Sequence, residues 1–141
     1  MGAVDSATPA VVDGLAWVHV RDGRVLQVRP KGKDVFYFPG GKREPGENDA
    51  EALIREVAEE VSVQLDPATL QLFTVVDAAA HGYPEGTRVR LTCYTAECTG
   101  DLAPRSEIAE LAWFTQADAD RCAPAGVRVL AELAQRGLVT R

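Results

Sequence analysis

The chain has 141 residues, with 15 Lys and Arg against 21 Asp and Glu and a formal net charge of −6. A hydrophobic share of 46% and a charged share of 26% are those of an ordinary globular domain with a core, which excludes global disorder. The acidic balance also excludes a nucleic-acid binder that works by neutralising phosphates, since that needs a basic face, although a bound divalent cation can invert the local sign for a nucleotide. No run approaches the ~18 apolar residues of a membrane span. The N-terminal stretch carries no early Lys or Arg and does not read as a secretory signal. Cys93, Cys98 and Cys122 fit neither a disulfide framework nor a CxxC zinc site. The expectation is a cytoplasmic protein whose reduced thiols pack as small apolar groups.

Residues 1–12 are small and weakly patterned, which predicts a partly ordered tail before a single domain over 13–141. Leu15 to Val20 reads as a strand, Asp22-Gly23 as a hairpin turn and Val25 to Val28 as the returning strand. Pro30 to Asp34 is a basic loop, and Val35 to Phe38 a short aromatic strand ended by Pro39-Gly40-Gly41. A helix is predicted from Asn48 to Val61. Asn48 caps it, Glu51 stands in capping-box position, and Ala50, Leu53, Ile54, Val57, Ala58 and Val61 recur at helical spacing.

Asp66-Pro67 starts a turn, Leu70 to Val76 is a strand, and His81 to Gly86 is a loop. Val89 to Glu97 alternates as a long strand, bounded by Thr99-Gly100, and Ile108 to Phe114 is another around Trp113. Thr115 caps a short turn through Asp118, and Val127 to Gln135 is a last helix stopped by Gly137. Strands, helix, strands, helix predict a mixed sheet with helices on its faces, α/β or α+β.

The chemistry concentrates in Gly41 to Val63. On a helix, Glu56 projects to the same side as Glu59 and Glu60, away from the apolar sector. Like charges at this spacing repel, and only Arg55 lies nearby to offset them. Such a cluster becomes favourable around a hard cation such as Mg²⁺, which takes oxygen ligands, water and substrate phosphates. A solvated acidic face is the competing reading of the helix taken alone. In the preceding loop, Gly40-Gly41 permits close backbone approach, Glu44 and Glu47 add carboxylates, and Lys42 and Arg43 are cations that can meet phosphate.

The segment closely resembles the Nudix box: Gly, five residues, Glu, seven residues, Arg-Glu, an aliphatic, any residue, Glu-Glu, any residue, Gly, an aliphatic. Gly41, Glu47, Arg55, Glu56, Val57, Glu59, Glu60 and Val63 fall on that pattern, and Ser62 stands where the family has Gly. The family's Gly ends the helix, and a non-Gly residue in left-handed conformation costs on the order of 1 kcal/mol. The resemblance implies an α/β/α sandwich around a mixed sheet. It also implies an Mg²⁺- or Mn²⁺-dependent hydrolase of a nucleoside diphosphate linked to another group.

By that resemblance, Glu59, Glu60 and the Gly40 carbonyl are metal ligands, and Glu56 is a ligand or orients the attacking water. Arg55 pairs with Glu47 and holds the carboxylates in place. The family's general base varies; Glu85, Glu107 and Glu110 are the candidates here, with Glu107 first. Lys42 and the rings of Phe36 and Phe38 are candidate substrate contacts, although packing also accounts for the two rings. His19, Trp17 and Trp113 read as structural, His81 as an exposed loop residue, and Cys93 and Cys98 as buried.

Nothing resembles the accessory signatures of the NADH, ADP-ribose or coenzyme A subfamilies; Ala78 and Ala79, for instance, stand where ADP-ribose enzymes tend to have Pro. What remains resembles a short MutT-type enzyme converting a (deoxy)nucleoside triphosphate to monophosphate and pyrophosphate. The alternatives are an ADP-ribose or other nucleotide-sugar pyrophosphatase, and a non-catalytic nucleotide-binding Nudix module. The expected partner is a small nucleotide, not a nucleic acid or a membrane. The sequence leaves the oligomeric state open, a homodimer among the options.

Overall fold

The structure, a computed structural model, describes residues 10–141. The strands are β1 (Val11–Trp17), β2 (Val20–Arg21), β3 (Arg24–Pro30), β4 (Gly40–Gly41), β5 (Gln64–Leu65), β6 (Gln71–Ala79), β7 (Arg88–Thr95), β8 (Cys98–Thr99) and β9 (Ile108–Phe114). The helices are α1 (Asp49–Val61) and α2 (Pro124–Gln135), with short 3₁₀ turns at Pro67–Thr69 and Gln116–Arg121.

A mixed sheet runs in the order β4-β1-β7-β6, with β1 parallel to β7 and the outer pairs antiparallel. β2, β3 and β9 form a second, antiparallel sheet, and β5 pairs with β8. Successive side chains of a strand point to opposite faces, and β1 supplies both cores. Leu15 and Trp17 join Leu53, Val57 and Val61 of α1, while Ala16 and Val18 join Val129, Leu130 and Leu133 of α2. A helix on each side of the strands is the α/β/α sandwich. The predicted alternation in β7 holds: Val89, Leu91 and Cys93 face the α2 core, and Tyr94 the α1 core. No helix among the described residues is long and apolar enough to cross a membrane.

The helix α1 forms as its sequence predicts. Asn48 Oδ1 accepts from the Glu51 N–H at 2.8 Å, and Glu51 Oε1 accepts from the Asn48 N–H at 3.0 Å, a complete capping box. It ends at Ser62, which takes the left-handed conformation (φ 72°) expected of a Gly, with its hydroxyl donating to the Ala103 carbonyl at 2.9 Å. Ala52, Leu53, Val57 and Val61 are buried, while Ala50 and Ala58 lie at the flank of the stripe.

Several boundaries differ from the sequence reading. The expected tail over residues 1–12 falls partly on residues 1–9, which lie outside the described residues, and partly on Val11 and Val12, which are in strand. β1 starts early because Val11–Trp17 pairs with Arg88–Tyr94, a partner remote in sequence. Val20 belongs to the second sheet, where Asp22 and Gly23, both at positive φ, turn β2 into β3. Val35 to Phe38 forms no strand. Tyr37 exchanges backbone hydrogen bonds with Val28, while Phe36 bonds Arg121 and Ala123, so neighbouring residues are drawn to different partners and no ladder grows. The last helix starts at Pro124 because proline suits a first turn, where its missing N–H leaves no bond unmade. All three cysteines are free; Cys93 and Cys122 are buried, which pushes both thiols up to about 12.

Leu53 is fully buried between α1 and the sheet. Leu53→Ala is expected to cost ~2–5 kcal/mol in urea melts. A loss below ~0.5 kcal/mol, the range of ordinary surface substitutions, would place this face of α1 away from the core.

Candidate functional site

The site is built where β4 meets α1. Gly40 has φ +151°, and a Cβ there would lie 1.9 Å from the Leu15 carbonyl oxygen, so only glycine lets β4 close onto β1. A Cβ at Gly41 would lie 1.6 Å from a Glu56 carboxylate oxygen. The glycine pair therefore brings bare backbone against the acidic face of α1. The Gly40 N–H donates to Glu60 Oε1 at 3.0 Å, and Glu60 is only 9% exposed.

Arg55 organises the neighbouring carboxylates. Its Nε donates to Glu47 Oε2 at 2.7 Å and its Nη2 to Glu47 Oε1 at 2.8 Å, a planar fork. Nη2 also reaches the Lys42 carbonyl at 3.1 Å, while Nη1 donates to Glu59 Oε1 at 3.1 Å and lies 3.4 Å from Glu56 Oε1. Glu47 further accepts the Glu44 N–H at 2.7 Å. The loop over residues 42–47 is thereby tied to α1. The Arg55 hydrogen bonds pull the Glu47 carboxyl down to about 2, and Glu47 in turn holds the guanidinium more firmly charged.

Glu60 and Glu56 show the opposite shift. Burial pushes Glu60 up to about 8, against the Gly40 N–H, and the charges of Glu56, Glu107 and Glu59 add to it. Burial also pushes Glu56 up to about 7, with Arg55 opposing and Glu59 and Glu107 adding. The exposed Glu107 is near enough for its charge to act on both carboxylates. Glu110 is instead ion-paired with Arg29 at 2.7 Å. Glu85 is exposed in the β6–β7 loop.

Beside Gly40 and Gly41 opens a cavity of about 310 Å³, near the lower end of ligand pockets. Its walls are largely apolar and include Leu15, Val28, Phe38, Val89 and Leu91; Lys33, Tyr37, Lys42, His81 and Tyr83 also line it, and Glu60 stands at its Gly40 side. Phe38 is therefore a wall of the cavity. Phe36 is not: it is buried against Phe114, ring centroids 4.9 Å apart, with the Arg121 guanidinium 4.9 Å above its ring. Its candidacy as a substrate contact is thereby corrected, since its face is already filled by core groups. Lys42 is exposed, its ammonium 5.5 Å from the centre of the Tyr83 ring. Sequence reasoning passed over Tyr37 and Tyr83. Only the position of Tyr83 in a Gly/Pro loop signalled it, since loops on a rigid scaffold often carry function.

His19 lies outside the cavity. Its ring stacks on Trp17 at 4.4 Å and its Nε2 is buried without a partner. Burial and Arg21 lower its pKa, so it is neutral, in keeping with a structural role.

The acidic face suits a hard divalent cation in its chemistry. Its donors are all oxygen, the Arg55 guanidinium is already forked to Glu47, and burial, with the neighbouring carboxylates adding, holds Glu56 and Glu60 well above the usual carboxylate range. Among the described residues no three acidic, His or Cys side chains are yet gathered as a finished metal cluster. Glu60 is turned to the Gly40 N–H and Glu59 to Arg55.

The comparisons with known proteins agree with this geometry. The NUDIX domain family model matches residues 10–133. No curated protein sequence matches the chain. The crystal structure of a MutT NUDIX hydrolase from Burkholderia pseudomallei is similar, at 26% identity and a TM-score of 0.71, covering 86% of this chain and 96% of that one. The solution structure of the E. coli ORF135 protein is similar at 27% identity and a TM-score of 0.66, covering 91% and 92%. A UDP-X diphosphatase, at 21% identity and a TM-score of 0.65 over 94% of this chain and 66% of that one, shares the fold.

Two expectations follow. Gly41→Ala places a methyl where the Glu56 carboxylate sits, so it should abolish the wild-type site geometry; a Gly41→Ala enzyme with unchanged kcat overturns the close-approach account. Glu60 has a folded-state pKa raised from its ordinary 4.5 to about 8, so its stabilising neutral form is complete below about 4.5 and is lost as pH rises through 8. With divalent cations removed, Glu60→Gln should therefore melt at a higher temperature than wild type at pH 8–9. The gap should close towards pH 4.5. Parallel melting curves across that range would refute it.

Proposed function

The chain belongs to the Nudix family and is a hydrolase of phosphoric anhydride bonds, and we propose that its substrate is a (deoxy)nucleoside triphosphate, cleaved to the monophosphate and pyrophosphate with Mg²⁺ or Mn²⁺. The observation that carries this reading is the close approach of the Gly40-Gly41 backbone to Glu56 and Glu60, with Glu59 held by Arg55 on the same helix, beside a cavity sized for one small ligand. The likeness to a MutT NUDIX hydrolase at 26% identity supports the triphosphate.

In this reading Glu56, Glu59, Glu60 and the Gly40 carbonyl hold the cation, which when bound offsets the charge developing at phosphorus and acidifies a water. Arg55 and Glu47 touch neither substrate nor water. Their fork fixes the loop over residues 42–47 against α1 and keeps the ligating carboxylates in register. Lys42, exposed at the mouth, meets the substrate phosphates, and Phe38 supplies apolar wall. Glu107, across from Glu56 and Glu60, takes the proton of the attacking water; the oxygen of that water bonds to phosphorus, and the bond to the leaving phosphate oxygen breaks.

A panel of nucleoside triphosphates, ADP-ribose and nucleotide sugars, assayed with Mg²⁺ for release of pyrophosphate, monophosphate or phosphate, tests the substrate. Turnover should be fastest on a triphosphate and vanish in excess chelator. Preferred cleavage of a nucleotide sugar overturns the triphosphate reading, and full activity in chelator overturns the metal. Arg55→Lys tests the fork. Lysine lacks the planar pair of donors, so kcat should fall ~10–100-fold, the usual cost of losing such a supporting contact, with a smaller rise in KM. Wild-type kcat in Arg55→Lys would show that Arg55 only neutralises surface charge.

A further inference from the structure

The cavity beside the acidic face has an unusual inventory of polar side chains. Those that line it belong to Lys33, Tyr37, Lys42, Glu60, His81 and Tyr83. Among the described residues, Asn, Gln and Arg, the side chains that read a base edge with paired hydrogen bonds, are absent from this lining, as are Ser, Thr and Asp. Glu60 is bonded to the Gly40 N–H, and His81 is engaged with Asp34 at 3.1 Å. The groups left are two ammoniums, which suit phosphate and ribose oxygens, and two phenol rings.

The backbone that carries each ring is fixed. Tyr37 is fixed through its backbone, which exchanges two 2.8 Å hydrogen bonds with Val28. Tyr83 stands on the β6–β7 loop, whose base is closed by Ala80 N–H to Thr87 O at 2.9 Å and Thr87 N–H to Pro84 O at 3.1 Å. The His81–Asp34 contact ties this loop to the one before Tyr37, and Lys42 sits over the Tyr83 ring on the side of the acidic face. Tyr83 is 45% exposed, a large ring left uncovered at a cavity mouth. The two phenols also sense one another: burial, then Asp34, then Tyr83 hold the Tyr37 hydroxyl neutral.

We propose that Tyr37 and Tyr83 hold the nucleobase of the substrate by stacking, and that the apolar cavity reads it by shape alone, so that the enzyme discriminates only weakly among the four bases. This deepens the proposed function and rests on its reading of the substrate as a nucleotide. Every base has a π-face, so stacking is tolerant of sequence. An apolar pocket distinguishes related groups by only ~10–200-fold, whereas a pocket built to hydrogen-bond its ligand reaches ~10⁴–10⁵-fold.

The test measures kcat/KM for ATP, GTP, CTP and UTP with Mg²⁺, and for inorganic tripolyphosphate, which has no base. Wild type, Tyr83→Ala, Tyr83→Phe and Tyr37→Leu are compared. Calorimetric binding of AMP, GMP, CMP and UMP runs alongside and needs no turnover. The four triphosphates should fall within ~200-fold of one another. Tyr83→Ala and Tyr37→Leu should each raise KM and the monophosphate Kd ~10–100-fold for all bases, while Tyr83→Phe retains wild-type values. Tripolyphosphate, which has no base to lose, should suffer a smaller loss of kcat/KM in Tyr83→Ala and Tyr37→Leu than the four nucleoside triphosphates do. A preference for one base above ~1,000-fold overturns the proposal, as does an unchanged Kd in Tyr83→Ala, or failure of all four monophosphates to bind. If the monophosphates bind with shallow selectivity and lose affinity in Tyr83→Ala, but no triphosphate is cleaved, the clamp stands and the hydrolytic reading fails.

Discussion

The close approach of β4 to α1 is the constraint on which the site depends. Any side chain at Gly40 would meet the Leu15 carbonyl, and any at Gly41 would meet the Glu56 carboxylate. Removing both side chains lets a backbone N–H reach Glu60 at 3.0 Å and sets bare main chain beside two acidic residues of one helix, Glu56 and Glu60. The cavity is lined by the same two residues, so the acidic face and the cavity meet at one contact.

That contact works against stability. Glu60 is buried and Glu56 partly so, each within reach of the other's charge and of Glu107's, and both are driven far above the usual carboxylate range. The fold holds them through neighbours that are individually favourable: the capping box that starts α1 and the Leu53-Val57-Val61 stripe packed on β1. Arg55 adds the fork to Glu47, which matches charge beside the strained carboxylates. A rigid helix thus presents carboxylates whose mutual repulsion a divalent cation relieves, the arrangement expected of a site that binds metal as part of its chemistry.

Much of this was legible in the residues. The α1 helix, its cap, its acidic face and the pairing of Arg55 with Glu47 are local features, set by spacings of three, four and eight residues, and periodicity reads such distances well. The β2–β3 turn was legible for the same reason. Two aromatic residues show the limit. Phe36 and Phe38 look equivalent by alternation, yet Phe36 is enclosed by Phe114 and Arg121, and Phe38 lines the cavity. What separates them is Cys122 and Ala123, far along the chain, pairing with Phe36 alone.

The sequence by itself determined the family, the sandwich class and the acidic helix, because each rests on short-range spacing and side-chain type. The tertiary structure alone decided that β1 lies parallel to β7, so that strand begins at Val11, and that Glu110 is taken up by Arg29. It also decided that Tyr37 and Tyr83, 46 positions apart, line one cavity. These depend on contacts between segments distant in sequence, whose register is set by packing on both faces of the sheet and leaves no periodic trace in either segment alone.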